Sequence, residues 1–450
     1  MIVSVLILAA GQGLRMHSST PKTLHRLAGK PLIRYSFETA WSVSSQKPVV
    51  VIGHAADEIR NELGDLVDYV IQTPQLGTGH AVQAAEAHLK DTTDQLVVIS
   101  ADMPLLTAKT LKAMADLQKE TDSVMVMLSI HSESPHGFGR VIRDEESHPV
   151  AIVEEDQASE EQLKCTELNA GAYCFDTHWL WDALRKIKIS PKGEFYLTDL
   201  LEIAVGQGEK VQVYTLDDAS EALGINNRIH LAEAEMVVRK RVNNDLMLSG
   251  VTIIDPAITY IEPGVSIGKD TIIYPNTHLR GSTVIGEQCI IGPNTIIDNT
   301  QIGSRCIVLY SVLESAVLED DVEMGPFGHL RKGAHLATGV HMGNFGEVKN
   351  SYLGPETKMG HFSYIGDAQI GSDVNIGAGT ITCNFDGVNK NKTVLADGVF
   401  VGSDTMLVAP VKMGEGARSG AGAVVTKDVP PHTTVVGVPA RPIIKKETSE

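Results

Sequence analysis

At about 100–200 residues per domain, a chain of 450 residues holds two or three domains, each large enough for its own core. Acidic residues outnumber basic ones 56 to 38, a formal charge of −18, which argues against a general nucleic-acid binder or a protein of anionic membranes. With 43% hydrophobic and 21% charged residues, the chain reads as globular and excludes a disordered class.

The apolar run 1–10 lacks a basic flank and is too short to span a bilayer, so it is expected to be a buried strand rather than a targeting segment. It runs into Ala9-Ala10-Gly11-Gln12-Gly13-Leu14-Arg15-Met16, followed by Pro21-Lys22. Glycines after a strand let backbone N–H groups approach a polyphosphate, and Arg15 and Lys22 add positive charge. Neither G-x-G-x-x-G nor a Walker G-K-[ST] ending is present. The stretch reads either as a phosphate loop or as a tight turn with two solvated cations. Further apolar runs at 49–52, 96–99 and 124–128 alternate with helical patterns at 82–89 and 108–118, which predicts an α/β domain on a largely parallel sheet. The run 96–100 ends in Ala101-Asp102-Met103-Pro104. A carboxylate just beyond such a strand suits Mg²⁺ at a triphosphate site, or else caps the next helix.

Leu231, Ala234, Val238 and Val242 recur at helical spacing, which predicts a connecting helix. Beyond it the pattern changes. Of 41 glycines, 27 lie from Gly250 onward, and an aliphatic residue stands every sixth position from Ile261 through Ile297. Later registers run from Leu318 to Val348 and from Val401 to Val425, with Ser419 the polar exception. A period of six predicts a parallel β-helix, its aliphatics pointing inward and small residues turning the corners. The period breaks near 351–361 and 382–398, where loops are expected to leave the coil. His361 lies at the first break. A histidine has the right pKa to take a proton from an amine attacking a thioester, although a lone histidine is more often structural. Arg331 and Lys349 in adjacent coils suit a sugar phosphate, and Asn375 suits a sugar or an acyl carbonyl. Five scattered cysteines without a C-x-x-C pair read as free thiols of a reducing cytoplasm.

The stretch L-A-A-G-Q-G-L-R-M followed by P-K resembles the signature of sugar-1-phosphate nucleotidyltransferases. Joined to a hexapeptide coil, it resembles the bacterial family that combines N-acetylglucosamine-1-phosphate uridyltransferase with glucosamine-1-phosphate N-acetyltransferase. The resemblance implies a Rossmann-like α/β uridyltransferase domain at 1–228, a connecting helix at 229–249 and a left-handed parallel β-helix acetyltransferase domain at 250–450. Leu8, Ala9, Ala10, Gly11, Gln72, Gly77 and Thr78 would meet the uracil nucleotide and Lys22 its phosphates. Gly139, Glu154 and Asn169 would hold the sugar. Asp102 and an asparagine of Gly224-Ile225-Asn226-Asn227-Arg228 would hold Mg²⁺, with Asn226 preferred and its neighbour left open. In the coil, Arg331, Lys349, Tyr364 and Asn375 would bind glucosamine 1-phosphate, with His361 as general base. Acetyl-CoA would lie along Ala378, Asn384, Phe385, Ser403 and Ala421. Phe385 departs from a common tyrosine, and Arg441 stands in for an arginine that contacts CoA. His329, His335 and His341 would fall on successive faces of the coil and so not converge on zinc. The whole would be a homotrimer of prisms about ten coils long, cytoplasmic, with no nucleic acid partner and no membrane span. The substrates implied are glucosamine 1-phosphate, N-acetylglucosamine 1-phosphate, UTP and acetyl-CoA. The competing readings are a single-activity nucleotidyltransferase with an assembly-only coil and a non-catalytic regulator on the same scaffold.

Overall fold

The apolar runs of the first half become the strands of a nine-stranded sheet in the computed structural model, which describes residues 1–133 and 137–443. They are β1 (Val3–Leu8), β2 (Val49–Ile52), β3 (Asp68–Ile71), β4 (Gln95–Ser100), β5 (Met125–His131), β6 (Arg140–Arg143), β7 (Pro149–Val153), β8 (Glu167–Asp176) and β9 (Val211–Thr215). The main path is β9-β5-β8-β4-β1-β2-β3, and β6 and β7 form a hairpin attached to β8. β1 is parallel to both neighbours, pairing Leu8 with Val51 on one side and with Ser100 on the other. Val5, Leu6, Ile7, Val97 and Ile99 are buried, as expected of a strand covered on both faces. The sheet is less parallel than expected. β8 runs antiparallel between β4 and β5, because the hairpin β6-β7 returns the chain without a helical crossover.

The chain divides into two compact units, Met1–Val238 and Arg239–Glu450, of which the end, 444–450, lies outside the described residues. The boundary falls inside a single helix, Arg228–Leu248. In the first unit Glu235 of this helix accepts a hydrogen bond from the Ala28 N–H at 2.7 Å. In the second, Asn243 is buried and donates to the carbonyls of Pro256 and Thr259 at 2.9 and 3.1 Å, while Val242, Leu246 and Met247 pack on the core of the coil.

That coil is the expected parallel β-helix. Strands of two to four residues stack into three sheets, and Ile273, Ile291 and Val308 lie one above another in register, as do Leu279, Ile297 and Leu313. Corner threonines hold the turns: Thr277 donates to the Tyr274 carbonyl and Thr283 to that of Arg280, each at 2.7 Å. Ser419 keeps its place in the core by bonding Thr405 Oγ1 at 2.9 Å and accepting from the Gly402 N–H at 3.0 Å. Only one of the two expected breaks is a loop. Around 351–361 the coil continues, with Leu353 and Met359 buried above Leu336 and Met342, because one face is a residue shorter and its corner absorbs the change. The other break does leave the coil, between the strands Ile381–Cys383 and Thr393–Leu395, closed by a bridge from Phe385 to Lys390. His329, His335 and His341 fall on three different sheets, each facing its own carboxylate, Glu314, Glu319 and Glu323.

Candidate active sites

The carboxyl ends of β1 to β4 gather the residues named for a nucleotide, the place where open α/β sheets bind ligands. Leu8 ends β1, Ala9 donates to the Val51 carbonyl at 2.9 Å, and Gly11 is exposed at the start of the loop. Gly13 adopts a left-handed φ of 64°, and a Cβ there would stand 2.5 Å from that of Lys22, so glycine brings the loop onto this lysine. Lys22 Nζ is paired with Asp102 Oδ2 and lies 3.0 Å from Asn226 Oδ1, and Arg15 Nη2 donates to the same Asn226 oxygen at 2.9 Å. Two hard oxygen donors thus converge on one cation, a donor set that suits Mg²⁺. Among the described residues no three histidine, cysteine or carboxylate side chains converge as a metal site.

The helix caps beside the site are Thr107 and Asn227. Thr107, not Asp102, caps the helix Ala108–Thr121. Asn227 spends its carbonyl as the cap of the helix Arg228–Leu248, accepting from the N–H groups of Ile229 and His230 at 2.9 Å each. Asn226 is the one whose side-chain oxygen shares Lys22 with Asp102.

Gln72 follows β3, is buried, and donates to the Gly77 carbonyl at 2.9 Å. Gly77 has φ 93°, and a Cβ would lie 2.7 Å from the Phe195 carbonyl. Thr78 opens a short helix, its hydroxyl accepting from the Leu197 N–H at 3.0 Å. The three residues named for the sugar form a second cluster. Asn169 donates its backbone N–H to Gly139 at 2.8 Å, and a Cβ on Gly139 would stand 3.7 Å from Glu154 Oε1. Burial holds the Glu154 carboxyl above the usual carboxylate range, with Asp156 and Asp199 adding to it. Asn169 and Tyr173 bond each other through the amide and the phenol.

In the coil, register lines up residues unevenly spaced in sequence. Lys358 pairs with Asn375, Asn375 with Phe400, and Phe400 with Arg418. His361, Ala378, Ser403 and Ala421 each stand three residues beyond one of these, at the same corner of four successive coils. Backbone bonds from Gly379 to Phe362, Asp404 to Ala378 and Gly422 to Ser403 tie that corner together. Ser403 and Ala421 are exposed along it, and His361 is exposed with no hydrogen bond among the described residues. Arg441 lies in the final strand, folded back against Val436 beside the end of this edge.

His361 leads into the strand Ser363–Gly366, where Tyr364 sits above Glu347 and Gly366 above Lys349. Arg331 bonds Glu347 Oε1 at 2.9 Å. The nearby charge of Lys390, together with Arg331, holds the Lys349 ammonium below the ordinary lysine range. Lys390 comes from the loop that leaves the coil, and sequence reasoning missed it, since a lysine in an exposed polar loop carries no spacing signal. Asn384 is pinned to Asp367 at 2.5 Å, Phe385 is exposed, and Asn375 lies on the sheet on the other side of the His361 corner.

Comparison with known proteins adds a MobA-like NTP transferase domain matched over residues 5–173 and a bacterial transferase hexapeptide match, six repeats, over residues 264–299. Relatives named bifunctional protein GlmU match nearly end to end. That of Heliobacterium modesticaldum is 45% identical over 95% of this chain and 93% of its own. Those of Shouchella clausii and Syntrophomonas wolfei are each 43% identical, covering 94% and 97% of this chain and the same shares of theirs.

Proposed function

The chain belongs to the GlmU family of bifunctional transferases, and on that premise we propose how its uridylyltransferase and acetyltransferase activities divide between the two units. The first unit joins UTP to N-acetylglucosamine 1-phosphate. Leu8, Ala9, Ala10, Gly11, Gln72, Gly77 and Thr78 line the nucleotide, and Gly139, Glu154 and Asn169 the sugar. Arg15 and Lys22 turn from Asn226 and Asp102 to the phosphates and offset the charge that grows as pyrophosphate departs. Asp102 and Asn226 would hold Mg²⁺, which when bound balances further phosphate charge. The sugar phosphate is itself a competent nucleophile toward the α-phosphorus, so no side chain needs to attack.

The second unit transfers acetyl from acetyl-CoA to the amine of glucosamine 1-phosphate. The observation that carries this reading is the single edge on which His361 and the residues for the acyl carrier, Ala378, Ser403 and Ala421, stand in line. A thioester laid along that edge ends at the histidine, which takes the proton of the attacking amine as the tetrahedral adduct forms, before the thiolate leaves. Arg331, Lys349 and Lys390 hold the phosphate, Tyr364 and Asn375 the sugar, and Asn384, Phe385 and Arg441 flank the carrier. An assembly-only coil would have no need to hold Lys349 against two other cations. The coil assembles as a trimer and the enzyme works in the cytoplasm.

Asp102→Asn in the full chain tests the division. Pyrophosphate release should fall by about 10²–10³-fold, while thiol release from acetyl-CoA stays at the parent rate. Equal loss of both in a folded variant would refute two separate sites. Light scattering tests assembly: a monomer that acetylates at the full rate would refute the trimer.

A further inference from the structure

The loop that carries Lys390 is braced from within. The carboxylate of Asp386 accepts the N–H groups of Val388 and Asn389 at 2.9 and 2.7 Å and the side-chain amide of Asn391 at 2.9 Å. The ends of the loop are tied as well, since Asn391 donates its N–H to the Asn384 carbonyl at 2.6 Å. A loop braced in this way moves as one body, so the place of Lys390 is decided at its base. There one residue holds both ends. The Asp367 carbonyl accepts the Thr393 N–H at 3.2 Å where the chain returns, and Asp367 Oδ2 accepts the Asn384 side-chain amide at 2.5 Å where the chain departs. Asp367 also grips the coil beneath. Its N–H donates to the Lys349 carbonyl at 3.1 Å, and its Oδ1 accepts the side-chain amide of Asn350 at 2.6 Å. Both oxygens of the carboxylate are thus engaged by amide nitrogens, which suits a group that only accepts.

We propose that Asp367 is a positioning residue of acetyl transfer, which clips the loop to the coil of Lys349 and so brings Lys390 beside Lys349 to receive the phosphate of glucosamine 1-phosphate. The inference rests on the reading that Lys390 helps to hold that phosphate. The carboxylate acts on an arriving anion in two opposed ways. By charge alone it repels the phosphate and offsets part of the crowding of Lys349 by Lys390 and Arg331. As a clip it delivers a cation. Asp367 is partly exposed, so its charge is screened by water and salt, whereas a loop released at its base takes Lys390 away altogether. The clip therefore prevails, and the two roles predict changes of opposite sign when the carboxylate is removed.

The test measures KM for glucosamine 1-phosphate in the full chain at saturating acetyl-CoA, with uridylyl transfer on the same preparations as a check of folding. Asp367 holds a left-handed φ of 51°, which glycine adopts freely, so Asp367→Gly keeps the backbone bonds and removes only the carboxylate. KM should rise by about fivefold, the worth of one hydrogen bond, and by more than kcat falls. Asn384→Ala breaks the clip from the side of the loop and should raise the same KM. In a Lys390→Met background, Asp367→Gly should add nothing further. If Lys390→Met leaves KM unaltered, Lys390 does not meet the phosphate and the underlying reading fails. If Lys390→Met raises KM while Asp367→Gly or Asn384→Ala lowers it or leaves it at the parent value, that reading stands and the inference is overturned. An equal rise from Asp367→Gly with and without Lys390 would show that Asp367 acts through another group, and would also overturn it.

Discussion

In the first unit the cations of the candidate site are already matched. Lys22 and Asp102 pair with side chains 15% and 18% exposed, and Asn226 receives both Lys22 and Arg15. On the coil, Lys349 stands against Lys390 and Arg331 with Asp367 as a nearby counter-charge, Arg331 pairs with Glu347, and His361 is exposed at a corner. A site whose charges satisfy one another keeps its shape without ligand, and its ligand must displace those contacts. A site whose cations crowd one another carries electrostatic repulsion that an arriving anion relieves. On the proposed reading the first unit needs no side-chain base, because the sugar phosphate is itself a nucleophile, while the coil supplies a proton acceptor for an amine at one exposed point.

The largest expected effect strikes the exposed point. His361→Ala should reduce acetyl transfer by about 10²–10⁴-fold and leave pyrophosphate release untouched, followed by thiol release at saturating substrates. Parent-rate acetylation would mean that another group takes the proton.

A smaller but sharper contrast lies in two adjacent asparagines. Asn226→Ala should lower uridylyl transfer by about 10²-fold and raise the magnesium concentration needed for half-maximal rate. Asn227→Ala should leave that requirement alone and cost about 1 kcal/mol of stability in urea unfolding, the usual loss of a helix cap. The reverse pattern would exchange their roles.

The mildest effect tests the crowded cations. Because Lys390 and Arg331 depress the Lys349 ammonium, Lys349 loses its proton at lower pH than an isolated lysine. The KM for glucosamine 1-phosphate should therefore begin to rise earlier on the alkaline side. Lys390→Met removes the strongest depressing neighbour, so the rise should move to higher pH even as the KM near neutrality increases severalfold. A pH profile unchanged by the substitution would separate Lys390 from the phosphate.

Much of the architecture was legible beforehand for physical reasons. Each six-residue step must send one aliphatic inward and turn a corner, so the β-helix is written locally, and the glycine-rich turn after β1 needs only its own neighbours to read as a tight turn carrying Arg15 and Lys22. The ten-residue antiparallel β8 was not legible, because alternation of strands and helices does not say which way a strand runs once a hairpin intervenes. Nor was the continuity of the coil through 351–361, since a lost residue in the period looks the same whether a corner tightens or a loop departs.

By itself the sequence determined two units of different grammar, the acidic net charge, and the residue types of both candidate sites. Only the tertiary structure decided that Asn226 rather than Asn227 meets Lys22, since one carbonyl is consumed by the helix it caps. Only it brought Lys390 to Lys349, Asp367 to Asn384, and His361 into line with Ala378, Ser403 and Ala421. Contacts of that kind depend on how distant segments stack and how much chain a loop removes from the register, and neither is recorded in the spacing of the residues that finally meet.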